Sequence, residues 1–117
     1  MPNVLLKKFH PMITYLETRW GGGGENPSEA EMIAALAELA TPDPEHPDCW
    51  LSDENGWVVA AHEGGRIVLE DTEGDGGVRH LVTSDPDLAL TLWKHLQAGE
   101  LDEIAAHPWK PGYQDQN

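Results

Sequence analysis

Asn55-Gly56-Trp57-Val58-Val59-Ala60-Ala61-His62, followed by Gly64-Gly65 and Arg66-Ile67-Val68-Leu69-Glu70, is the stretch that decides the fold. Asn-Gly is a strong two-residue hairpin signal, because both central positions of a type I′ turn need positive φ. Upstream of that turn lies Cys49-Trp50-Leu51-Ser52. Gly64-Gly65 returns the chain into Arg66–Glu70, and the acidic turn Asp71-Thr72-Glu73-Gly74-Asp75-Gly76-Gly77 leads into Val78-Arg79-His80-Leu81-Val82-Thr83. Four successive antiparallel strands are the simplest account of this punctuation.

Working outward, Met12 to Trp20 is rich in β-branched and aromatic residues and reads as a further strand, with Gly21 to Gly24 as a flexible tether after it. Asn26-Pro27-Ser28-Glu29 predicts a helix start, with Asn26 as cap, Pro27 at the first helical position and Glu29 closing a capping box. The helix turns Ile33, Leu36, Ala37 and Ala40 inward, with Met32 and Leu39 alongside, and stops before the prolines at 42, 44 and 47. Downstream, Ser84 or Asp85 caps a second helix that packs through Leu88, Ala89, Leu92, Trp93 and Leu96 and ends at Gly99. One or two further helical turns follow between Glu100 and His107. The expected class is α+β: an antiparallel β-meander of four to five strands with two main helices packed on it, residues 1–117 forming a single domain.

Composition limits the function classes. With 39% hydrophobic residues, 24% charged residues and five tryptophans in 117 residues, the chain has a globular composition sized for one core. No apolar run reaches the ~20 residues that span a bilayer, and Lys7-Lys8 follow the short apolar patch Val4-Leu5-Leu6, the reverse of a secretory signal. These features, with a single cysteine, predict a cytoplasmic protein without disulfides. The net charge of −14 is regional: residues 25–75 carry fourteen acidic residues and one basic residue, Arg66. Such a field disfavours nucleic acid and anionic membranes and favours encounter with a basic partner. Charge also keeps a small protein in solution, so by itself it does not specify a partner.

A search for catalytic chemistry returns little. Cys49 sits among apolar neighbours with Glu45 and Asp48 close in sequence, a setting that suppresses the thiolate. No serine stands in a nucleophile elbow, and the glycine clusters lack the lysine of a phosphate loop and are lined with carboxylates. His46 and Cys49, or His62 and His80 from different strands, offer a weak metal alternative set against ordinary hydrogen-bonded histidines. The 71–77 turn lacks the alternating Asp register and terminal Glu of a calcium loop. No cofactor is expected and no catalytic residue is assigned. Trp50, Trp57 and Trp93 read as core. Trp109, between Pro108 and Lys110, either staples the tail to the sheet or is an exposed anchor.

From Asn55-Gly56-Trp57 through Arg66–Glu70, His80-Leu81-Val82 and Ala89-Leu90-Thr91-Leu92-Trp93-Lys94-His95-Leu96 to Pro108-Trp109, the second half resembles immunity proteins of bacterial polymorphic toxin systems. Among these it is most similar to the Imm1 family, associated with toxins of the nucleic-acid deaminase class. The resemblance implies an inhibitor that binds a cognate toxin and blocks its substrate cleft. A basic cleft of that kind complements a regionally acidic partner. The expected contacts are Asp53, Glu54, Glu70, Asp71, Glu73 and Asp75, in turns at one end of the meander, together with Trp109. An effector chaperone or adaptor would share the size and charge, and a small metal-dependent enzyme is the remaining alternative.

Overall fold

A computed structural model describes residues 12–115; the N-terminal stretch read above as the reverse of a secretory signal lies outside them. Among the described residues the strands are β1 (Thr14–Glu17), β2 (Gly23–Glu25), β3 (Asp48–Asp53), β4 (Trp57–His62), β5 (Arg66–Asp71), β6 (Val78–Val82) and β7 (Lys110–Pro111). They form one antiparallel sheet in the order β2-β1-β3-β4-β5-β6-β7. Three helices accompany it: α1 (Glu29–Glu38), α2 (Leu88–Gln97) and α3 (Leu101–Ala105). The α+β class and the central meander are as the sequence predicts. The sheet is wider than four or five strands, because a hairpin extends one edge and a two-residue strand the other.

Period-2 alternation puts Leu16, Leu51, Val59 and Leu69 in one cross-strand row, and Cys49, Ala61, Ile67 and Leu81 in the next. Both rows are buried under the helices. From α2, Leu92, Trp93 and Leu96 fill the centre, and the Trp93 indole N–H donates to the Val59 carbonyl at 2.9 Å, so the largest core side chain leaves no polar atom unpaired. Gly99, at φ 72°, ends this helix where the sequence placed its stop.

The N-terminal half departs from the sequence reading in three ways. The glycine run is no tether. Gly23 and Gly24 belong to β2 and pair with Glu17 and Leu16, and a Cβ on Gly23 would lie 2.0 Å from the Leu16 carbonyl oxygen. Only glycine allows that approach at φ 118°. The helix cap is Ser28, not Asn26: the Ser28 Oγ accepts from the Glu31 N–H at 3.1 Å, and Glu31 Oε1 accepts from the Ser28 N–H at 2.8 Å. Asn26 instead closes the hairpin at φ 49°, its side chain accepting from the Thr14 N–H. The buried face of α1 is consequently Met32 and Ala35, while Ile33 is 48% exposed.

Arg19, only 6% exposed, joins the end of α1, the proline-rich loop after it and the Glu63–Gly65 turn. Its Nε donates to the His46 carbonyl at 2.9 Å, and one terminal nitrogen donates to the carbonyls of Glu38, the last residue of α1, and of Thr41, three residues beyond it. The other terminal nitrogen pairs with Glu63, which also accepts the Asp43 N–H at 2.6 Å. A planar fork of five donors suits this work and a lysine does not. The Arg19→Met substitution should therefore lower the unfolding free energy by about 3 kcal/mol, with Arg19→Lys recovering only part of it. Denaturant melts of both variants check this, and an Arg19→Met protein as stable as wild type would contradict it.

Candidate functional site

The β3–β4 and β5–β6 turns lie at the same end of the sheet and are bolted together. Both the backbone N–H and the hydroxyl of Thr72 donate to the Gly56 carbonyl, at 2.8 and 2.7 Å. Gly56 sits at φ 94°, and a Cβ there would meet the Glu73 side chain at 2.8 Å. The acidic residues of the two turns divide by task. Asp53 is buried, one carboxylate oxygen accepting from the N–H groups of both Asn55 and Trp57 at 2.9 Å. Asp71 accepts from the Gly76 N–H at 2.9 Å and from the Glu73 N–H at 3.4 Å. These two carboxylates shape the turns.

The other acidic groups are displayed. Glu54 is exposed and accepts the Ile13 N–H at 3.0 Å; Glu73 and Asp75 are exposed, and their carboxylates have no hydrogen-bond or ion-pair partner among the described residues. Glu70 belongs to the opposite side of the sheet, where it accepts the Tyr113 hydroxyl at 3.1 Å. Trp109 is half-buried against the core with its indole N–H on the Ile104 carbonyl at 2.8 Å, so of its two sequence readings it takes the staple.

The second feature is the sheet face that no helix covers. Cross-strand register arranges it as a row Glu25, Tyr15, Ser52, Val58, Glu70 next to the acidic turns, then a row Glu17, Trp50, Ala60, Val68, His80. The tail after β7 crosses the β5–β6 half. Arg66 donates to the Tyr113 carbonyl at 2.6 Å, and the His80 ring nitrogens lie 2.9 Å from the Gly112 carbonyl and 3.0 Å from Asp115. Under it Val68 and His80 are 3% and 1% exposed. The hydrogen bond from His80, and then the charge of Lys110, hold the Asp115 carboxyl below the usual carboxylate range. On the β1–β4 half, Tyr15 is 43% exposed and Trp50, Val58 and Ala60 are half-buried, with no segment of the described residues 12–115 laid across them. Trp50 is thus not core, contrary to its sequence reading, and Tyr15 carries no sequence signal that marks it as exposed. Alternation separates Trp50 from Cys49 and Leu51, but which face the helices cover is not written in that alternation.

The residues considered for chemistry do not converge. His62 Nε2 is 3.8 Å from Asp48 and its Nδ1 3.3 Å from an Arg66 nitrogen; burial and then the Arg66 charge push its pKa down against the pull of Asp48. His46 packs against Trp20 in a tilted arrangement with ring centroids 4.8 Å apart, while the buried Cys49 thiol points at the Ala35 carbonyl. Among the described residues no three His, Cys, Asp or Glu side chains form a metal-holding group, and no helix is long and apolar enough to cross a membrane. A cleft of about 320 Å³ opens between the end of α1 and the start of α2. Its carboxylates are already used: Glu63 is held by Arg19, and Asp85 accepts the Asp87 N–H at 2.9 Å. No family model matches the chain, and searches of the curated proteins and of the solved structures found no match.

Cys49 provides a check on the core beneath this face. Burial, with the negative charges of Asp48 and Glu38 behind it, pushes its thiol up to about 12. An unfolded thiol ionises near ~8.5, so the native state holds its proton where the unfolded chain releases it. The contribution is complete below that value and is lost as pH rises toward about 12. Stability should fall above about pH 8.5 with a slope approaching ~1.4 kcal/mol per pH unit, and Cys49→Ala should flatten that limb. Chemical denaturation from neutral to alkaline pH measures both.

Proposed function

We propose that this chain is an immunity protein that neutralises a cognate bacterial toxin, one acting on nucleic acid and deaminase-like, by presenting an acidic surface to its substrate cleft. The observation that carries the reading is the interlocked pair of turns. Asp53 and Asp71 spend their carboxylates on backbone N–H groups, and that rigid frame displays Glu54, Glu73 and Asp75 together. A cleft built for a polyanion presents Lys and Arg, and a preorganised cluster of carboxylates complements it without loop-ordering cost. At this end the Arg79 side chain donates to the Gly76 carbonyl at 3.5 Å and, among the described residues, pairs with none of these carboxylates. The resemblance of the second half to toxin-immunity proteins supports the same partner class.

The division of labour among the acids is testable. Replacing Glu54, Glu73 and Asp75 by their amides should slow association with the co-purifying toxin domain at low salt by about tenfold and flatten its salt dependence, while stability stays within about 0.5 kcal/mol. Asp71→Ala, by contrast, should cost about 1 kcal/mol of stability through lost turn hydrogen bonds. Stopped-flow association and thermal melts separate the two effects, and unchanged association kinetics for the triple variant would refute the reading.

A further inference from the structure

The β1–β4 half of the sheet, which no helix or loop among the described residues covers, has its own chemistry, distinct from that of the turns. Register sets a carboxylate directly beside each aromatic ring: Glu25 opposite Tyr15, and Glu17 opposite Trp50. Val58 and Ala60 continue the two rows as a shallow apolar floor. From β2 to β4 the strip is roughly 14 Å wide at ordinary strand spacing, room for one extended or helical segment. From this geometry we infer that the strip is a docking surface for an arginine-bearing segment of a partner protein, with guanidinium groups laid on Trp50 and Tyr15 and bonded to Glu17 and Glu25. This rests on the reading of the chain as a binder of a basic partner, and places its anchor on the sheet in addition to the turns.

Three observations favour that occupant. Charge comes first: the polar groups beside the aromatics are carboxylates, which oppose a second copy of this acidic chain and attract a cation. Guanidinium is the cation that stacks on an aromatic face while its N–H fork reaches an adjacent carboxylate. The molecule uses the same combination internally, since Arg19 lies 5.5 Å from the Trp20 ring centroid while pairing with Glu63. Finally, the other half of this face is already occupied by a segment of the chain itself. The Tyr113 carbonyl accepts from Arg66 and its hydroxyl donates to Glu70, so the face accepts a peptide laid over its strands.

The test uses the whole protein with a short synthetic peptide alternating arginine and leucine, its lysine/leucine counterpart and a glutamate/leucine control. Amide chemical shifts and tryptophan fluorescence read the contact. The expected result is shifts centred on β1, β3 and β4, several-fold tighter binding of the arginine peptide than of the lysine peptide, and none of the acidic one. Trp50→Ala should weaken the arginine peptide by about tenfold or more, as loss of a central aromatic anchor does. Glu17→Gln/Glu25→Gln alters only exposed charges, folds as wild type, and should weaken it by about threefold. Shifts confined to the turns at Glu54, Glu73 and Asp75, with full affinity in the Trp50→Ala variant, would overturn this surface and leave the acidic-turn reading standing. Absence of peptide binding would overturn it too, as would concentration-dependent self-association that buries Trp50. The toxin association kinetics judge the acidic turns separately from any of these outcomes.

Discussion

The Arg19 guanidinium is the constraint on which the N-terminal half depends. A cation taken out of water is costly unless nearly every donor finds an acceptor, and Arg19 meets that condition only by gathering the end of α1, the proline-rich loop and the Glu63–Gly65 turn around one point. The Glu38 carbonyl it uses is in the last turn of α1, where no following helical turn supplies the usual donor, and the Thr41 carbonyl lies in the loop just beyond. Its position just after β1 links this knot to the sheet. The hairpin that adds β1 and β2 to the meander is also the element that brings Tyr15, Glu17 and Glu25 onto the uncovered face.

The opposite end of the molecule is organised by carboxylates instead of a cation. An aspartate two residues before a free backbone N–H accepts from it and fixes a turn, and Asp53 and Asp71 both do this. A strongly acidic chain therefore does not present all its charge to solvent. Part of the charge is converted into turn geometry, and what remains is held in a defined arrangement by that geometry. Thr72 on Gly56 completes the lock between neighbouring turns, which makes the displayed group a rigid cluster of charges and not a set of independent loops.

The two sheet faces receive different treatment. One is sealed by α1 and α2 around Trp93, whose indole is satisfied inside the core. The other is closed over β5 and β6 by hydrogen bonds to a short tail, with His80 and Arg66 bonded to tail carbonyls, and among the described residues it stays open over β1, β3 and β4. The half-open face with its aromatic side chains adjoins the acidic end, and the proposed association with another macromolecule would use both.

Local signals were sufficient for much of this. Gly56, the Gly64-Gly65 pair and period-2 alternation determine the meander from Cys49 to Val82, although the first turn is a three-residue Glu54–Gly56 connection with positive φ at Gly56 and not at Asn55, in place of the two-residue type I′ form. The placement of both acidic turns at one end follows from the same hairpin arithmetic, and Gly99 marks the end of α2 by the same local logic. Nothing local distinguishes Asp53 and Asp71 from Glu73 and Asp75, since a carboxylate that shapes a turn and one that faces solvent read alike until the backbone around them is set. The glycine run after Trp20 illustrates the converse: taken alone it reads as a tether, yet it forms an edge strand because Leu16 and Glu17 supply the pairing partners. Likewise, Trp50 and Trp93 are equally apolar in sequence. Which of them is sealed in the core and which lies on an open face was decided by where the chain sends its helices, and that depends on packing among residues far apart along it.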